Sequence, residues 1–65
     1  MKVEYQHVTG KYTLVGLSDS PPYSWKGNKV LVEGKSYKTE IVYDLPKCIA
    51  VLGVGDFVGK EIIFV

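Results

Sequence analysis

The chain carries one histidine, one cysteine and three aspartates, the residue types from which a nucleophile, its base and an orienting carboxylate are built. His7, Cys48, Asp19, Asp44 and Asp56 lie in separate segments, and no local signature joins them. Cys48 opens the most apolar run of the sequence, Cys48 to Leu52, and reads as an inert thiol acting as a small hydrophobe. One cysteine closes no disulfide within the chain, and with a single histidine it cannot complete a tetrahedral zinc site of sulfur and imidazole ligands. No metal and no cofactor are expected, and the chain reads as non-enzymatic.

The glycines of Gly53 to Lys60 approach two phosphate-binding signatures and miss both. After Gly53 and Gly55, the dinucleotide fingerprint needs its third glycine at position 58, and the sequence has it at Gly59. Counted back from Gly59-Lys60, a P-loop needs glycine where Val54 stands and a hydroxyl where Glu61 stands. Too little chain follows Lys60 for a helix whose N-terminus would hold an anion. The segment reads as a glycine-punctuated turn with room for one helical turn inside.

Recognition chemistry is concentrated in residues 18–27, where Pro21, Pro22, Tyr23 and Trp25 occur together and Lys26 and Lys29 follow. Trp and Tyr supply large contact area with few rotors, and prolines lower the entropy lost on ordering, so Tyr23, Trp25, Lys26 and Lys29 form the candidate partner-binding patch. A structural role competes for the same rings: Trp25 and Tyr23 folded over an open end of the fold would complete a thin core. We favour that lid role for Trp25, and a lid can also bind.

The leading expectation is therefore a protein-interaction module with an unidentified protein partner. The first alternative is weak, sequence-nonspecific binding of single-stranded nucleic acid through Lys26, Lys29, Lys35 and Lys38 plus the loop aromatics. The second is a homodimer formed through an exposed edge strand. The formal net charge of +1 steers neither sign of partner, although residues 1–38 carry a net +3 and residues 39–65 a net −2. All eight basic residues are lysine, so the bidentate fork that reads guanine edges is missing and base-specific DNA readout is not expected.

The elements that hold these residues must fit in 65 residues, which favours one domain, residues 1–65, with a thin core and no deep cleft. Val, Ile and Thr make up 17 residues against one alanine, a balance that favours strands over helices. Lys2 to Val8 alternates with Val3, Tyr5 and His7 on one face, and Thr9-Gly10 turns it into Lys11 to Leu17, which is apolar on both faces as a central strand is. Lys29 to Glu33 and Ser36 to Tyr43 flank Gly34 as a second hairpin, with Tyr37, Thr39, Ile41 and Tyr43 together on its inner face. Cys48 to Leu52 and Glu61 to Val65 complete six strands.

The fold class is all-β with little or no helix: a six-stranded antiparallel barrel, or a highly twisted sheet, of the size of SH3-like minibarrels. The last strand is expected to pair back onto the first hairpin and close the sheet, because an apolar strand left at an edge aggregates. No motif assigns the chain to a family. No apolar run reaches the length of a membrane span, the opening Met1-Lys2-Val3-Glu4 is charged, and a reducing cytoplasmic setting is expected.

Overall fold

In the computed structural model, which describes all 65 residues, the β-branched composition becomes six antiparallel strands and no helix. They are β1 (Val3–Thr9), β2 (Tyr12–Leu17), β3 (Lys29–Val32), β4 (Lys35–Ile41), β5 (Cys48–Leu52) and β6 (Ile62–Phe64). Their order across the sheet is β1-β2-β5-β4-β3-β6. Turn chemistry sets the two hairpin registers. Gly10 and Lys11 link Thr9 to its partner Tyr12, and Glu33 and Gly34, both at positive φ (52° and 79°), link Val32 to Lys35 in the manner of a type I′ turn.

The sheet turns a corner along β4. Lys35 to Lys38 pair with β3, whereas Thr39 to Ile41 pair with β5. At the change-over Thr39 is buried, and both its backbone N and its Oγ1 are spent on the chain entering β3: N donates to Asn28 O at 2.9 Å and Oγ1 to Gly27 O at 3.0 Å. Thr13 is likewise buried and donates to Gly53 O at 2.7 Å, so neither inward hydroxyl lacks a partner. Between them lies the core of Val3, Val15, Leu17, Val30, Val32, Ile49, Val51, Phe57 and Ile62.

The C-terminal strand departs from the expectation. Its ladder partner is β3, which puts Ile62 and Phe64 opposite Val32 and Val30 on the core side. Toward the first hairpin there is one bridge, Lys2 with Glu61, supported by backbone bonds from Val3 N to Lys60 O, Gly59 N to Val3 O and Ile62 N to Met1 O. No ladder closes the sheet. The Gly53 to Lys60 segment contains no helical turn; it crosses one end of the core and inserts Phe57.

A bulge reverses the face assignment of the first strand. Val3 faces Leu17 but Tyr5 faces Gly16, so Glu4 is an extra residue and the alternation shifts by one. Val3 stays in the core, while Tyr5 and His7 move to the outer face and Gln6 turns inward. Gln6 then serves the crossing segment, donating to Gly55 O at 2.8 Å and accepting from Phe57 N at 2.6 Å.

On the outer face Tyr5, Gly16 and Cys48 form one cross-strand row. A Cβ at Gly16 would stand less than 3.0 Å from three atoms of the Tyr5 ring, so glycine lets the ring lie over this position and bring its hydroxyl to 3.3 Å from Cys48 Sγ. Cys48 is thus buried beneath Tyr5, outside the main core cluster. Gly16→Ala is expected to cost about 1–2 kcal/mol by dislodging the ring. In a Tyr5→Ala background the same change should cost almost nothing, a non-additivity that urea denaturation of the four proteins measures.

The hydrogen bond to Cys48 holds the Tyr5 phenol above its ordinary pKa, and the bond from Tyr12 to Glu40 Oε1 (3.2 Å) does the same for Tyr12. Stability tied to these bonds is present while the phenols are protonated and is lost as pH rises through their folded-state pKa values. An ultraviolet titration of Tyr5→Phe should therefore lack one phenol that ionises above the usual tyrosine range.

Candidate functional site: the groove beneath the 18–27 loop

Paired prolines keep residues 18–27 out of the sheet, and a chain of local bonds fixes the segment against it. Leu17 N donates to Lys47 O at its start, Trp25 N to Pro22 O closes a turn, and Trp25 Nε1 donates to Lys29 O at 2.9 Å. At its end Gly27 is buried with φ +84°, and a Cβ there would run into Ile41, so glycine lets the loop lie against β4. The half-buried Trp25 ring packs edge-on against Phe64 at 4.9 Å and adjoins the core. Its indole is a lid over that end of the fold.

The loop leaves a hollow on each side of the Pro22 to Trp25 turn. One, of about 390 Å³, runs between Pro21, Tyr23 and Trp25 on one wall and Ile41, Tyr43 and Pro46 on the other. Its lining residues include no charged side chain. Tyr23 is fully exposed and Tyr43 is 88% exposed, so two rings stand at its rim. The second hollow, of about 430 Å³, is formed by Pro22, Ser24, Trp25, Lys26, Phe64 and Val65.

Groove donors are few. Pro21, Pro22 and Pro46 have no N–H, and the amides of Ser20, Trp25 and Cys48 are used by Asp19 Oδ1, Pro22 O and Leu45 O, which leaves Tyr23, Val42 and Tyr43 as the unpaired amides outside the strands. The surface therefore offers rings, aliphatic carbons and hydroxyls, and little backbone to pair with an added strand.

The four residues singled out from sequence do not form one patch. Tyr23 and Trp25 line the groove, Lys26 lines the second hollow, and Lys29 stands on the outer face of β3 opposite Lys38. Lys35 leaves the expected basic cluster: it shares the side of Tyr37, with Nζ 5.7 Å from that ring. Sequence reasoning missed Tyr43, which it set on the inner face with Ile41. Strand β4 ends at Ile41 and the chain turns from Val42 O to Leu45 N, so the alternation stops before Tyr43 and releases it. The break at Asp44-Leu45-Pro46 was the available signal.

His7 is exposed on the outer face opposite Leu14, and no three His, Cys, Asp or Glu side chains converge on a possible metal position. No helix is long and apolar enough to cross a membrane. No protein family, curated protein or solved structure matches the chain.

Proposed function

We propose that the chain is a non-catalytic protein-interaction module whose groove beneath the 18–27 loop seats a short, extended, proline-rich peptide. The observation that carries this reading is the groove's lining: proline and tyrosine on both walls, no charged side chain, and few free backbone donors. A polyproline II segment makes no backbone ladder and buries flat rings against aromatic surfaces at low entropy cost, which complements such a wall. The volume is at the small end of ligand pockets and suits a few side chains rather than a whole helix.

Lys26, at the second hollow, extends the contact on the far side of Trp25. We further read the twisted sheet as a barrel held shut at the Lys2 and Glu61 bridge, which keeps the loop end rigid; slow hydrogen exchange at Val3 N and Ile62 N tests that seam. The free thiol of Cys48 suits a reducing compartment such as the cytoplasm.

Calorimetry with an uncharged proline-rich peptide tests the reading. Tyr43→Ala should weaken binding about tenfold or more, while unfolding stability changes by less than about 0.5 kcal/mol because the ring is exposed. Binding should vary little with salt. A steep loss of affinity with salt, together with capture of single-stranded oligonucleotide, would favour phosphate recognition instead.

A further inference from the structure

Lys29 and Lys38 are direct partners across the β3–β4 ladder and share the face opposite the core residue Val30 and the half-buried Tyr37 packed against the core. Directly opposed side chains in an antiparallel pair lie about 5 Å apart at Cβ, where like charges repel. Neither lysine has an acidic partner: the chain's two ion pairs are Met1 N with Glu61 and Lys60 with Glu33. Glu40, two residues along the strand from Lys38, is held by the Tyr12 hydroxyl. Asn28 and Lys38 line a small hollow of about 180 Å³ together with Tyr12 and Glu40, so the acidic group on this face sits on the side of Lys38 away from Leu31 and Ile63. The next cross-strand row is apolar and partly open, with Leu31 between Ser36 and the exposed Ile63.

We infer that this face is a second docking surface, for an acidic peptide whose carboxylate bridges Lys29 and Lys38 and whose neighbouring apolar side chain rests on Leu31 and Ile63. Charge complementarity selects the occupant. An unneutralised lysine pair lowers the stability of the free protein, and an anion placed between the two ammonium groups relieves that repulsion while forming two charge-assisted hydrogen bonds. Nucleic acid fits less well, because neither of the two rows on this face carries an aromatic ring on which a base would stack; the nearest ring, Tyr12 at Glu40, lies on the other side of Lys38 from Leu31 and Ile63.

The test uses the full chain with a short peptide of alternating Glu and Leu, the same peptide with Gln for Glu, and an oligothymidylate. The Glu peptide should bind, and the Gln peptide and the oligonucleotide should bind at least about tenfold more weakly. Lys29→Glu should abolish binding of the Glu peptide and yet raise the melting midpoint by roughly 2–6 °C, since it turns a repulsive pair into an attractive one. Lys35→Ala, on the other side of the ladder, should leave affinity unchanged. Equal binding of the Gln peptide, tighter binding of the oligonucleotide, or retention of the Glu peptide by Lys29→Glu would overturn the assignment. The uncharged proline-rich peptide reports on the groove alone, so failure of either site is distinguishable from failure of the other.

Discussion

Phe57→Ala is expected to cost about 3–5 kcal/mol, comparable with the whole stability of a domain this small. The ring is 3% exposed, meets Tyr37 edge-on at 5.2 Å, and is the only core residue supplied by the segment between β5 and β6. Its backbone N is held by Gln6, so the plug is fixed by β1 as well as by its own packing. Truncation leaves a cavity that the strand backbones cannot collapse to fill, because five ladders hold them in place. Chemical denaturation should show the Ala variant largely unfolded without denaturant, whereas Phe57→Leu should retain a cooperative transition. A loss below about 1 kcal/mol for Phe57→Ala would show that the crossing segment contributes little to the core.

Trp25→Ala is expected to cost about 2–3 kcal/mol, less than a fully buried tryptophan because the ring is only half-buried. It removes both the edge-on contact with Phe64 and the hydrogen bond to Lys29 O, and these hold the 18–27 loop to β3 and β6. Trp25→Phe separates the two contributions. It keeps a ring against Phe64 and leaves Lys29 O without its donor, for a cost of about 1 kcal/mol. Circular dichroism melts measure both variants, and peptide affinity should fall with stability because the indole also lines the groove. A Trp25→Ala protein as stable as the parent would mean that the ring is a contact surface and not a lid.

Composition and turn chemistry made the strands legible. Gly10 and Gly34 marked the two hairpins, and the run from Cys48 to Leu52 was a buried strand as its branched residues suggested. Three features were not legible, each for a physical reason. The bulge at Glu4 leaves no compositional trace, so Tyr5 and His7 read as sharing a face with Val3 when they lie on the other. The pairing of β6 with β3 depends on how the Gly53 to Lys60 segment crosses the core, a long-range property that local alternation does not encode. The groove needs two segments at once: the 18–27 loop reads as a candidate surface from its prolines and rings, but the opposite wall at Ile41, Tyr43 and Pro46 comes from a turn that only tertiary structure brings alongside.

The lysines illustrate the same limit. Sequence proximity grouped Lys26, Lys29, Lys35 and Lys38, but alternation along β4 sends Lys35 and Lys38 to opposite faces. Only Lys29 and Lys38 meet, and they do so by cross-strand register rather than by neighbourhood in the chain.

Amide and side-chain chemical-shift mapping of the intact chain, titrated with an uncharged proline-rich peptide, tests the groove most directly. Saturable perturbations confined to Tyr23, the Trp25 indole, Ile41 and Tyr43 are the expected result. Perturbations centred elsewhere on the sheet, or none at millimolar peptide, would contradict the assignment of this groove as the binding site.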